Sequence, residues 1–184
     1  MGDGELPLTE LDPGRFLARL PRGHYKSMTA PHRPAEVAMV IERAAGWILL
    51  QTKVHYPPGV FRIPTGAVQP GEQAEQAMLR ELMEESNLIP GSHRVFLRLH
   101  YEVDGRRQSF HSDAFLIQRP RGELRPLDPH EGISAWREAP VRELDQVARE
   151  LRQLAPPRHD WGVFRSALHQ CVARVLPDLL QDRA

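Results

Sequence analysis

The stretch Gly66–Leu88, GAVQPGEQAEQAMLRELMEESNL, constrains this chain more than any other. Gly66, Pro70 and Gly71 punctuate its start, after which nothing breaks a helix until Asn87. The spacing predicts a helix over about Gln73–Ser86. Asn87 falls where the left-handed cap belongs, a conformation that asparagine tolerates best after glycine, and Pro90-Gly91 enforces the stop. Glu81, Glu84 and Glu85 stand at offsets of three and four, side by side on one helical face. At ~100° per residue the same arc holds Ala74, Ala77 and Met78, while Leu79, Leu82 and Met83 fall on another. The acids therefore share a face with small apolar residues. They repel one another and sit in the last turn, where the helix dipole disfavours negative charge. Arg80 can pair with Glu84 at i+4, but one cation does not balance three anions. A hard divalent cation does: magnesium takes a few carboxylates, keeps waters and bridges to substrate phosphates. The competing reading is a solvated acidic face, the usual fate of a charge cluster. Against it stands the bent loop ahead of the helix, where glycine permits close approach of a ligand.

Around this stretch the chain reads as an ordinary globular protein. Its 184 residues, 41% hydrophobic and 26% charged, suit one sizeable core rather than disorder. Acidic and basic residues balance at 24 each, so no global field draws in nucleic acid or an anionic membrane. A polyanion would need a local cluster or bound metal. No apolar run approaches the ~20 residues that span a bilayer, and the start lacks the basic-then-apolar order of a secretory signal. The single cysteine, Cys171, rules out an internal disulfide. A soluble cytoplasmic protein is the expectation.

Residues 1–34 read as an N-terminal extension, with Asp12 capping a short helix over Pro13–Leu20, and residues 35–184 as the main domain. Val37–Glu42 and Trp47–Thr52 look like a strand hairpin across Ala45-Gly46. Tyr56-Pro57-Pro58-Gly59 is a loop, and Val60–Ile63 a short strand entering Pro64-Thr65-Gly66. After the helix, Arg94–Val103 and Arg106–Gln118 flank Asp104-Gly105, a strong hairpin signal. A loop over Arg119–Pro129, a short strand over Ile133–Arg137 and helices over Val141–Leu154 and Trp161–Leu176 complete the chain. That order fits an α/β sheet covered by helices.

The 23-residue stretch resembles the signature of the Nudix hydrolases. Gly66 is followed after five residues by Glu72, and seven more lead to Arg80, Glu81, Leu82, Met83, Glu84, Glu85, Ser86, Asn87 and Leu88. One position departs, Asn87 standing for the usual glycine. The flanks agree: Phe61–Pro64 resembles the family's strand into the loop, and Ile133–Leu144 the strand and helix that close the domain.

The resemblance implies an α/β/α sandwich with a mixed β-sheet and hydrolysis of a pyrophosphate linkage in a nucleoside diphosphate-linked compound: a nucleotide, nucleotide sugar or dinucleoside polyphosphate. Glu84 and Glu85 would be magnesium or manganese ligands, and Glu81 a ligand or the base for water. Glu72 would assist from the loop, Arg80 would orient the glutamates, and the carbonyl of Thr65 or Gly66 would complete the shell. Of Glu123, Asp128, His130 and Glu131, the downstream candidates for a further ligand, Glu131 is favoured because it precedes the strand at Ile133. Arg62 and Lys53 are candidates for substrate phosphates, and Tyr101 or Phe110 for stacking on a base, although packing is the commoner role of such aromatics. Trp136 and Trp161 read most simply as helix–sheet packing. Three rival readings remain. One is an RNA 5′-end pyrophosphohydrolase, disfavoured by the balanced charge. A second is a nucleotide-binding module without catalysis, disfavoured because no signature glutamate is missing. The third is an isomerase resembling isopentenyl diphosphate isomerase, which leans on a cysteine. Homodimers are common among similar proteins.

Overall fold

The computed structural model describes residues 6–21 and 35–181. They form a mixed sheet of eight strands between helical layers. The strands are β1 (Leu8–Asp12), β2 (Arg15–Leu20), β3 (Ala35–Ala44), β4 (Trp47–Lys53), β5 (Thr65–Ala67), β6 (Ser92–Val103), β7 (Arg106–Gln118) and β8 (Ile133–Pro140). The sheet runs β1-β2-β6-β7-β3-β4-β8, with β5 also paired to β3. Two pairings are parallel, β2 with β6 and β3 with β7, and the others are antiparallel. The helices are α1 (Ala74–Ser86), α2 (Leu144–Arg152) and α3 (His159–Gln181). No helix among the described residues is long and apolar enough to cross a membrane.

Alternation along β3 divides the interior. Val37, Met39 and Ile41 pack with Ala77, Met78 and Leu82 of α1. Ala38 and Val40, facing the other way, pack with Leu144, Val147 and Leu151 of α2 and Phe164, Ala167 and Leu168 of α3. The expected α/β/α sandwich is this arrangement, with α1 on one face and α2–α3 on the other.

The hairpin β3–β4, the Asp104-Gly105 turn (φ 50° and 72°) and the left-handed cap at Asn87 (φ 58°) follow the sequence reading. The helix expected over Pro13–Leu20 is instead strand β2, joined to β1 through Pro13-Gly14. Gly14 has φ 74°, and proline followed by a left-handed glycine is a turn signature. Phe16, Leu17, Ala18 and Leu20 are buried there, and β2 lies beside β6 in the domain's own sheet. The first part of the expected extension thus belongs to that sheet, while residues 1–5 and 22–34 lie outside the described residues. Val60–Ile63 forms no strand; one bridge, Arg62 to Gln51, ties it to β4.

Candidate functional site

A cleft of about 290 Å³ opens where β5, the β4 end, α1 and α3 meet. Thr65, Gly66 and Ala67 of β5 line it, with Glu81 of α1, Lys53 of β4 and Glu131 of the 3₁₀ turn Pro129–Glu131. Its formation starts from Gly66. A Cβ added there would stand 2.0 Å from Glu81 Cγ and 2.1 Å from Cδ, so only glycine lets the carboxylate lie against β5. Glu81 Oε1 then accepts from Ala67 N–H at 3.1 Å and from Arg80 Nη1 at 2.9 Å.

Arg80 organises the acids. Its Nε and Nη2 donate to the two oxygens of Glu72, its Nη1 to Glu81 and Glu84, and its Nη2 also to Ala67 O. A flat fork of five N–H groups can span this many acceptors where a lysine cannot. The hydrogen bonds to Glu72 hold the guanidinium above its ordinary pKa, and Arg80 in turn holds Glu72 below the usual carboxylate value.

On the same helix Glu81 and Glu85 are buried, whereas the Glu84 side chain is 40% exposed. Burial pushes Glu81 above its ordinary value; Arg80 opposes that, and the nearby negative charges of Glu131 and Glu84 add to it. Burial likewise raises Glu85 to about 7, against the pull of Lys53, Arg62 and Gln51. Lys53 Nζ bridges Glu85 Oε1 at 2.7 Å and Glu131 Oε2 at 2.6 Å. Burial penalises this ammonium, but the two carboxylates together raise it above normal. Burial also pushes Glu131 up, yet the Lys53 contacts outweigh it and leave it low.

Among the described residues no three histidine, cysteine or acidic side chains already converge into a cage for an ion; Arg80 and Lys53 hold the acids instead. The donor set nonetheless fits a hard divalent cation. It consists of carboxylate oxygens crowded enough to repel one another, beside a Gly66 backbone that approaches Glu81 too closely for any side chain. The Lys53 bridge shows that a positive charge between Glu85 and Glu131 is well accommodated.

Arg62 also lines the cleft and is only 4% exposed. Its Nη1 donates to Ile63 O and Thr65 Oγ1, and its Nε and Nη2 to the Tyr56 hydroxyl. The Ile63 N–H donates to His169 Nε2 of α3 at 3.0 Å, while His169 Nδ1–H donates to Arg165 O. These partners fix one neutral tautomer. Burial holds His169 down to about 3, so it stays neutral and pins the approach to β5 against α3.

The expectation that Tyr101 contacts substrate is corrected by its position. It is fully buried, stacked on Phe164 at 4.8 Å, with its hydroxyl on Ser112; β6 alternation turns it into the α3 core. Phe110 and Trp161 do line the cleft, and Trp161 stands 5.0 Å from Tyr56. Of the downstream loop candidates, Glu131 is the one lining it. Glu72 is tied to Arg80 and does not line it. Cys171 is fully enclosed, and burial raises its thiol. Sequence reading missed His55, Tyr56, Glu36 and Arg165, all of which line the cleft. Only the neighbouring Tyr56-Pro57-Pro58-Gly59 loop signalled any of them.

Comparison with known proteins agrees with this geometry. The NUDIX domain matches residues 32–161. A curated relative, the NAD-capped RNA hydrolase NudC of Photorhabdus laumondii, is 39% identical over 90 residues, covering 48% of this chain. The match spans only 32% of that relative's length. Among solved structures, the E. coli ORF135 protein superposes with a TM-score of 0.52 at 25% identity, over 75% of this chain and 89% of that one. An ADP compounds hydrolase gives a TM-score of 0.55 at 18% identity, over 82% and 74%, which speaks for the fold. The chain belongs to the Nudix hydrolase family.

Proposed function

We propose that the chain hydrolyses a phosphoanhydride in a small nucleoside diphosphate-linked compound, using magnesium or manganese held by Glu81, Glu84, Glu85 and Glu131 with the Gly66 carbonyl. One observation carries this reading. Glu81 of α1 and Glu131 line one cleft with Arg62, while Glu84 and Glu85 stand outside its lining; Arg62 is a buried guanidinium with no carboxylate in salt-bridge reach among the described residues. Its direct partners are neutral oxygens, and Glu85 acts on it only at longer range. A buried cation without a contacting counter-charge is costly, and a substrate phosphate beside metal-bound acids relieves it. The relative described as an NAD-capped RNA hydrolase also supports a nucleotide-linked substrate.

When bound, the divalent ion supplies charge neutralisation at the bridging phosphate oxygens and lowers the pKa of water. The chain's own groups do the rest. Arg80 holds Glu81 and Glu84 in place, and Glu72 holds Arg80. Arg62 and Lys53 take phosphate oxygens. Glu81 accepts the proton of the attacking water at Oε2, since Oε1 already accepts from Ala67 and Arg80. Its pKa, raised by burial, suits that role. Balanced net charge favours small cytoplasmic nucleotides over long nucleic acid.

The test is a panel of nucleoside triphosphates, nucleotide sugars and dinucleoside polyphosphates, assayed with magnesium and with chelator, both products identified by mass. Metal-dependent cleavage of a phosphoanhydride is expected. No turnover on any member would turn the reading towards a binding module, and near wild-type turnover by Glu81→Gln would reject Glu81 as base.

A further inference from the structure

Glu36 and Arg165 are each 6% exposed and line the cleft, yet the hydrolytic reading uses neither. Arg165 Nη1 donates to Glu36 Oε2 at 2.7 Å. Glu36 Oε1 accepts from Ser112 Oγ, which also meets the Tyr101 hydroxyl. Arg165 Nε is buried with no acceptor among the described residues. By β3 alternation Glu36 shares the sheet face of Ala38 and Val40, the α3 side, opposite the face where α1 packs.

Charge separates the tasks of the two cleft arginines. Arg62 touches no carboxylate among the described residues, only neutral oxygens, and suits an anion. Arg165 is neutralised by Glu36, whose carboxylate would repel a phosphate, so the pair presents a donor beside an acceptor with little net charge. Such a pair complements a neutral planar edge carrying an acceptor next to an N–H. Tyr56, Trp161 and Phe110 line the same cleft with aromatic surface, the kind that stacks on a planar ring. The cleft volume, near the lower end of the ~300–1,000 Å³ common for ligand sites, suits one nucleotide rather than a polymer. Building a buried ion pair costs desolvation that a hydrophobic pair avoids, which is understandable where the pair reads a ligand.

We propose that Glu36 and Arg165 form a base-reading subsite, the carboxylate accepting from a ring N–H and the guanidinium donating to a ring acceptor, with Trp161 and Tyr56 as its aromatic wall. This rests on the nucleotide substrate of the proposed function but concerns a different moiety.

The test measures binding of the adenine, guanine, uracil and cytosine nucleoside 5′-monophosphates, and of ribose 5-phosphate, by calorimetry with magnesium. Wild type, Glu36→Gln and Arg165→Met are compared, with thermal unfolding checking that each variant folds. Turnover of the matching triphosphates is measured in parallel. Wild type is expected to prefer one base by tenfold or more, roughly the scale of one lost hydrogen-bonding match. Glu36→Gln, which keeps shape but removes the charge, is expected to shrink that ratio below about threefold. Equal binding of all bases and of ribose 5-phosphate by wild type overturns the proposal. So does a loss in the variants that is the same for ribose 5-phosphate as for nucleotides, or no nucleotide binding at all. Turnover without base discrimination leaves the hydrolase reading standing and sinks this one; base-selective binding without turnover does the reverse.

Discussion

Replacing Gly66 by alanine probes how the acids are seated. Gly66 has no left-handed φ, so its backbone accepts alanine and the cost is steric. The new Cβ would lie 2.0, 2.1 and 2.5 Å from Cγ, Cδ and Oε2 of Glu81. Either Glu81 stays, at an overpacking cost of about 1–3 kcal/mol, or it leaves. Leaving forfeits its bonds from Ala67 N–H and Arg80, charge-assisted contacts each worth about 1.5–3 kcal/mol. These are alternatives, and staying is the cheaper, so the cost is about 1–3 kcal/mol. At roughly 2–4 °C per kcal/mol for a domain this size, Tm falls by about 2–12 °C. All three clashing atoms lie beyond Cβ in Glu81, so Glu81→Ala removes the obstacle. Denaturant unfolding of wild type, both single variants and the double variant should give a coupling of about 1–3 kcal/mol, with Gly66→Ala nearly neutral in the Glu81→Ala background. An equal cost in both backgrounds, or none in wild type, would refute the seating argument.

Two further expectations follow from the same contacts. His169 is held down to about 3 in the fold by burial, against ~6.5 when unfolded. Below pH 6.5 the unfolded chain therefore takes a proton that the fold refuses. This contribution to stability is complete above about 6.5 and is lost as pH falls towards 3. Urea midpoints across that window should fall more steeply for wild type than for His169→Gln; parallel curves would contradict the buried neutral imidazole. Lys53→Met leaves Glu85 and Glu131 without their ammonium. Its Tm in chelator should drop below wild type, and magnesium should raise its Tm by more than it raises wild type's. An equal magnesium response would show that Lys53 does not stand where a cation is wanted.

The parts of this molecule legible in its sequence are those set by short-range chemistry. The α1 periodicity placed Glu81 and Glu85 on one arc with Ala77 and Met78, and all four are buried; Leu82, read onto another arc, is buried beside them, and Glu84, read onto the same arc, is 40% exposed. Asn87 and Asp104-Gly105 announced their left-handed backbones. The β1–β2 turn was announced too, by Pro13-Gly14, but proline is also favoured at a helix start. What decided between them was burial of Phe16 and Leu20 against β6, a pairing across about eighty residues of chain. Distance likewise hid part of the cleft. Glu36 and Arg165 are 129 residues apart, and nothing local marks either as a partner of the other. Tyr101 and Phe110 looked equivalent in sequence, since only the β6–β7 register and the arrival of α3 decide which one reaches the cleft.

The clamp between α3 and the loop before β5 has a consequence for how such a protein can change its diet. His169 grips the main-chain oxygen of residue 165, not its side chain, while its other nitrogen anchors Ile63. The side chain at 165 can therefore be exchanged while the hydrolytic loop keeps its anchorage. On the base-reading role proposed for Arg165, preference can drift at that one position without retooling the machinery that breaks the bond.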